Sequence, residues 1–512
     1  MATHSANPIP PRLSMWRRVR EYAVPPSMIE NATARRAVGD WAGACAAARV
    51  DVDLDLRAVR VRHGTDLAHR LRADLRRLAP DLLRWHLPRI APDGRLRPGL
   101  TLSLARYPEC GLAPLQLVAR TPPARAAAGQ RISLALWEGP GSRVAGQHPH
   151  PHPDRRFRLD LHRHLWDAAR SGELARRCGG ATAPRERSGR PLTADSWQEA
   201  AKGGASPWAV ERWAAEGESL LRAEERPARG PFAVRLGTRR RAVFELVAPD
   251  DSHAPMLRLL RQALPRQQVA ALPVLPEAAA RVLPDLELLR AGLITTGRLH
   301  PLVAAALAEP GPAPATGPAG LFGHVGPSEP VGPGSENGDP HRVVCRGEVH
   351  RIALRAGVLT AVDHDPAQLR RKEMLVALGG PALPCLRAID AAHHAPQALP
   401  AIRERLDHGD VTGALDVVGR LLGPGAVLRE GPLREALESA ASRRVEHGLF
   451  RSVPAALRRA GAAPGAVTAA SGITSEPGRA KAGHRPRLDR RTPSAISRKR
   501  SARTRPRTAL TR

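Results

Sequence analysis

Leu100-Thr101-Leu102-Ser103-Leu104-Ala105-Arg106-Tyr107, then Leu115-Gln116-Leu117-Val118-Ala119-Arg120 and Arg131-Ile132-Ser133-Leu134-Ala135-Leu136-Trp137, are the runs on which the fold class turns. Apolar residues alternate in the first and third and form a short block in the second, the period of strands half or fully covered by other structure. Arg156–Leu161 reads as a further strand, leading into a helix around His164–Ala169. These runs predict a small antiparallel sheet, and the surrounding chain supplies helices. The fold class is therefore α+β.

Upstream, Thr33–Val38 and Trp41–Arg49 read as two short helices broken at Gly39, with Asp40 placed to cap the second. A longer helix follows, with Leu67, Leu71, Leu75 and Leu78 on one stripe and Arg70, Arg72, Arg76 and Arg77 off it, until Pro80 intervenes. Downstream, Pro207–Glu225 reads as helix, Phe232–Val247 as a hairpin, and Pro284–Leu307 as two helices broken at Gly292. Pro301, expected midway along the second of these, argues against a helix-turn-helix reader of DNA.

Residues 310–340 hold 8 glycines and 8 prolines in 31 residues and no lysine or arginine, the composition of a linker. The expected organisation is a disordered N-terminus (1–27), a mixed α+β region (28–309), this linker (310–340), a β-meander plus helical module (341–463) and a disordered basic tail (464–512). The meander is expected at Arg342–Cys345, Val349–Leu354 and Val358–Val362, turning at Gly347 and Gly357. Asp365 is placed to cap a helix that ends near Gly379, and further helical runs begin at Pro400, Val411 and Leu433. Gly39-Asp40-Trp41-Ala42-Gly43-Ala44 recurs as Gly409-Asp410-Val411-Thr412-Gly413-Ala414. The shared G-D-x-x-G-A is a hairpin turn in which aspartate caps the second helix; two copies do not make a solenoid.

The chain has 75 arginines, 4 lysines and a formal charge of +30. Arginine beside abundant alanine, proline and glycine is also what a GC-rich genome writes by default, so the charge is either a phosphate-binding surface or compositional. From Glu476 onward the net charge is +11 in 37 residues, which reads either as an arm for nucleic acid or as a drifted or frameshifted end. The five cysteines lie far apart with no C-x-x-C, against a disulfide framework or zinc ribbon and in favour of a reducing cytoplasm. No stretch is apolar enough for a membrane span, so no membrane partner is expected. Phosphate-loop, dinucleotide, zinc-protease and serine-hydrolase signatures are missing, and no cofactor is indicated.

Candidate chemistry is sparse. His148-Pro149-His150-Pro151-His152-Pro153 offers imidazoles two residues apart, and His148, His150 and His152 are the candidate metal ligands, against the plainer reading of a solvated loop. Cys345 and His350 flank the turn at Gly347, where the histidine can activate the thiol; a half-buried cysteine beside a surface histidine is the plainer reading. His364, between Asp363 and Asp365, reads as part of a capped turn. Asp51, Asp53 and Asp55 alternate with apolar residues, either as a carboxylate row for a divalent cation or as an amphipathic edge strand.

Ala32-Thr33-Ala34-Arg35-Arg36 with the Gly39-Asp40-Trp41 hairpin, Pro284-Asp285-Leu286-Glu287-Leu288-Leu289-Arg290-Ala291-Gly292-Leu293-Ile294, and Cys345-Arg346-Gly347-Glu348-Val349-His350-Arg351 together resemble an uncharacterised actinobacterial protein family, over roughly Met28 to Ala395. The resemblance implies a bacterial cytoplasmic origin and carries no activity. Leucine stripes without catalytic signatures point first to a scaffold or adaptor that binds protein partners. The alternatives are a nucleic-acid-associated protein using the arginines and tail, and an enzyme or metal binder using Cys345 with His350 or the histidine run.

Overall fold

The computed structural model describes residues 9–108, 115–140, 148, 152–178, 207–227, 229–237, 240–247, 256–260, 264–308, 342–345, 347–355, 358–423 and 426–461. In the N-terminal region the elements are α1 (Pro11–Tyr22), α2 (Pro26–Ala37), α3 (Trp41–Ala47), β1 (Val50–Asp53), α4 (Leu56–Arg77), α5 (Pro80–His86), β2 (Arg89–Ile90), β3 (Arg95–Leu96), β4 (Thr101–Tyr107), β5 (Leu115–Arg120), β6 (Ile132–Trp137) and α6 (Leu174–Cys178). Next come α7 (Trp213–Ala223), β7 (Gly230–Arg235), β8 (Arg241–Val247), β9 (Met256–Leu259), α8 (Arg266–Ala271), α9 (Glu277–Ala280), α10 (Pro284–Arg290) and α11 (Pro301–Leu307). The C-terminal region has β10 (Arg342–Cys345), β11 (Glu348–Arg355), β12 (Val358–Ala361), α12 (Pro366–Ala377), α13 (Pro384–His394), α14 (Leu399–Asp407), α15 (Val411–Leu422) and α16 (Pro432–Gly461).

The molecule is mixed α+β with several small, mostly antiparallel sheets. The runs that decided the fold class form the centre of the main sheet, ordered β1-β6-β5-β4. β4, β5 and β6 pair antiparallel, with a register shift between Ser103 and Ala105, while β1 adds to β6 in parallel. These three strands are almost wholly buried, so both faces are covered. The leucine stripe of α4 closes on this sheet: Leu67, Leu71, Leu75 and Leu78 join Leu82, Leu83, Trp85, Leu102, Leu104, Leu117 and Leu134 in one core. Each such side chain contributes about 1.5–3 kcal/mol on burial. A stripe used this way inside the fold is not a surface for a partner. A second core gathers Trp213, Phe232 and Phe244 around the β7-β8-β9 sheet, and a third lies among α13–α16 and the meander.

Several expectations are corrected. Residues 11–22, assigned to a disordered N-terminus, form α1, which buries Met15, Val19 and Arg20; prolines near each end and a dense arginine run mask its amphipathic face. Arg156–Leu161 makes turns and one parallel bridge, Ser103 to Arg158, because its arginines fold back onto Asp154 and Asp160. Helix α10 ends at a left-handed Gly292 (φ 64°), a short turn of 3-10 helix covers Thr296–Arg298, and Pro301 is the first residue of α11, not its midpoint.

The C-terminal helices close directly onto the N-terminal region. Arg84, wholly buried, donates to the carbonyls of Ala23 (3.1 Å), Gln130 (2.6 Å) and His408 (3.3 Å). Arg49 donates to His408 O (3.0 Å) and pairs with Asp410 (3.1 Å), and Arg451 grips Asp53 through two 2.6 Å bonds. Arg18 to Glu404 and Arg95 to Asp407 (both 3.0 Å) add to the seam. A guanidinium presents five donors in a rigid fork, which suits it to collecting carbonyls from three segments at once.

Candidate functional site

A hollow of about 560 Å³ lies between α1, the chain from α5 to β2, and the Arg156–Leu159 and Glu277–Pro284 segments. That size falls within the usual range for small-molecule sites, about 300–1,000 Å³. Trp16, Leu102, Phe157, Leu159 and Leu165 supply apolar wall; Arg12, Arg20, Arg89, Arg97, Arg156, Arg158 and Arg281 supply cations, against Glu277 as the acidic residue in the lining.

Most of these cations are already satisfied. Arg20 forms a fork on Asp285 (2.9 and 2.7 Å) with its guanidinium over Trp85. Arg12 pairs with Glu287, Arg156 with Asp154, Arg158 with Asp160 and Glu224, and Arg281 with Glu277. Two are different. Among the described residues Arg89 has no carboxylate partner: it donates to Arg84 O (2.7 Å) and Gly94 O (3.4 Å), and its buried Nε has no hydrogen-bond partner there. Burial, reinforced by the charge of Arg20, lowers its pKa to about 9. Arg97, half-buried, has no carboxylate partner among the described residues. An uncompensated guanidinium in a partly dry wall costs free energy that an anion would return.

His86 and Cys178 line the same hollow. His86 Nδ1 bonds the carbonyls of Leu82 and Leu165 (both 3.1 Å), so the proton belongs on Nδ1, and Nε2 is left without a partner. Burial lowers the His86 pKa to about 4 and raises that of Cys178 to about 11, so near neutrality the imidazole is uncharged and the thiol protonated. Behind them His164 Nε2 is 3.9 Å from Cys178 Sγ and its ring meets His162 edge-on. A neutral thiol beside neutral imidazoles is not an activated nucleophile.

The residues singled out from sequence are scattered. His148 Nε2 faces Thr121 O (3.1 Å) and its ring meets Phe450; His152 lies exposed with its ring edge-on to Trp137; His150 lies outside the described residues, as do the 310–340 linker and the 464–512 tail. Asp51 and Asp53 sit on the edge strand β1, paired with Arg131 and Arg451, while Asp55 caps α4. Burial opposes ionisation of Asp51, but hydrogen bonds from His447 and Arg131 and the charges of Arg131 and Arg451 hold its pKa far below the usual carboxylate range. That row therefore meets guanidinium groups, not a cation site. Cys345 and His350 share one face of the β10–β11 hairpin, where Cys345 opposes Glu348 and His350 opposes Val343. Cys345 Sγ also lies within 4.8 Å of ligand atoms of His364 and Cys385, both distant in sequence.

Comparison with protein-family models, curated proteins and solved structures finds no match to this chain. No described helix is long and apolar enough to cross a membrane. Sequence reading missed the cavity because its walls come from several segments far apart in the chain. The one local signal was Arg156-Phe157-Arg158-Leu159-Asp160, where arginines alternate with apolar residues.

Proposed function

We propose that this chain is a ligand-binding protein whose N-terminal cavity takes a small anion with an apolar body, such as a carboxylate or phosphate ester. The observation that carries the reading is the pair Arg89 and Arg97, cations without carboxylate partners among the described residues, in a wall whose other arginines are paired and whose apolar part is Trp16, Leu102, Phe157, Leu159 and Leu165. Such a wall favours a molecule that fills apolar space and ends in negative charge. The adaptor reading has less support, since the leucine stripe behind it is core. The nucleic-acid reading rests on the 464–512 tail, and many arginines of the folded part already hold carboxylates or carbonyls.

Octyl phosphate and octanol share an apolar body and differ in charge, so calorimetric titration of the full chain with each separates the contributions. The expected result is one equivalent of octyl phosphate bound, weak or no binding of octanol, and a tenfold to hundredfold loss of octyl phosphate affinity in Arg97→Ala, as one charge-assisted hydrogen bond of about 1.5–3 kcal/mol predicts. Equal affinity for the two probes, or an Arg97→Ala variant that binds like the parent, would remove the basis for this function.

A further inference from the structure

Three ligand-type atoms converge beneath the C-terminal meander. Cys345 Sγ comes from the end of β10, His364 Nε2 from the turn between β12 and α12, and Cys385 Sγ from the first turn of α13; all lie within 4.8 Å of one another. His364 Nε2 stands 3.3 Å from Cys385 Sγ, and both cysteines are free and wholly buried. A zinc tetrahedron with Zn–S of about 2.3 Å and Zn–N of about 2.0–2.1 Å has ligand-to-ligand edges of roughly 3.5–3.8 Å. The three atoms need shifts of about 1 Å or less to meet it.

Buried cysteines often serve only as small apolar fillers, and Cys345 and Cys385 do pack with Ala361 and Leu369. That account leaves out the imidazole set against them and its neighbour. The His350 ring stacks on His364 with centroids 4.0 Å apart, the residue is 8% exposed, and its Nδ1 is buried without a hydrogen-bond partner. A buried nitrogen with no partner is costly in an apo fold and is what an unfilled ligand set leaves behind. The local core is also thin: among the described residues it holds Ala361 and Leu369 beside the two cysteines, with Leu383 and Leu386 partly buried against them.

We propose that Cys345, Cys385 and His364 bind a zinc ion, with His350 as fourth ligand, and that the metal staples the meander to α12 and α13. Two sulfurs and imidazole select a borderline-soft ion over magnesium or calcium, which require oxygen. On binding, each thiol gives up its proton to solvent and ligates as thiolate, so one Zn²⁺ replaces two protons and the core gains no net charge. Four ligands close the coordination sphere, which makes the site structural and not catalytic.

The test uses the full reduced chain, stripped with chelator and titrated with Co²⁺ without oxygen. The expected result is one equivalent bound with a thiolate-to-cobalt charge-transfer band of two-sulfur intensity, displaced by one equivalent of Zn²⁺. Cys345→Ser and Cys385→Ser each halve the band, and His350→Phe keeps it while weakening zinc by about a hundredfold or more, beyond the roughly ten- to hundredfold that loss of an outer-shell partner costs. Cobalt held without a thiolate band would place the metal on the His148–His152 run instead and overturn the proposal. So would failure of the unaltered chain to take up cobalt, or a band that survives both serine variants. The unaltered chain decides the matter even if a serine variant fails to fold.

Discussion

At the scale of single residues, arginine works here as internal framework. Arg84 joins three backbone segments, Arg20 closes on Asp285, and Arg49 ties His408 to Asp410. Histidine carries the complementary risk. His408 is 0% exposed, stacks on Tyr22 and sits beside Arg84 and Arg89; burial first, then those two charges, lowers its pKa to about 4. The folded form thus binds this proton less readily than the unfolded chain, whose histidine titrates near 6.5. Stability from His408 is complete above the unfolded value and is lost as pH falls from about 6.5 towards 4, a loss of about 2 kcal/mol between pH 7.5 and 5.0. His86, lowered by burial to about 4 as well, acts in the same direction. Urea unfolding at these two pH values should show a drop in the parent that His408→Gln reduces by about 2 kcal/mol; equal drops would mean that His408 does not titrate across this range.

At the scale of elements, the repeated turn shows how one sequence pattern acquires two energies. Gly39 and Gly409 both take left-handed φ, 79° and 80°, and in both copies the aspartate accepts from the backbone of the following glycine, at 2.8 Å in Gly43 and 3.3 Å in Gly413. Both aspartates also pair with an arginine five residues earlier, Arg35 or Arg405. A Cβ on either second glycine would collide with the capping carboxylate. The pattern was legible in sequence as a capped hairpin; the reason for its second glycine was not, because it depends on where the carboxylate turns. Asp40 is half-exposed and can swing away, so Gly43→Ala should lose about 1 kcal/mol of cap and regain about as much in helix propensity. Asp410 is buried and gripped by Arg49 and Arg405, so Gly413→Ala should destabilise by about 2–4 kcal/mol. Thermal or urea unfolding of the two variants should separate them clearly; similar losses would mean that Asp410 has the freedom of Asp40.

At the scale of the whole molecule, the described C-terminal helices, as far as Ala456, belong to the same body as the N-terminal sheet. A protease site introduced within 310–340 should therefore give two fragments that co-elute at low salt, and Arg49→Ala with Asp410→Ala should let them separate; fragments that part in the unaltered seam would contradict the contacts described. The Leu100–Trp137 runs, the α4 leucine stripe, the Asp365 cap and the meander followed from local patterning, because period, capping and turn chemistry act over a few residues. The cavity and the Cys345–His364–Cys385 group were not legible, since their members are brought together by chain closure across tens to hundreds of positions, about which spacing rules for adjacent ligands are silent. Composition registered an excess of positive charge but could not assign it: whether a guanidinium meets a carboxylate, a carbonyl or an empty wall depends on which distant segment packs beside it. Sequence alone thus determined an α+β chain with a Gly/Pro-rich divide and no familiar catalytic signature. Tertiary packing alone decided which of the described arginines meet a carboxylate, which meet a carbonyl and which, like Arg97 in the cavity wall, meet neither, because desolvation and pairing are properties of the surroundings and not of the residue.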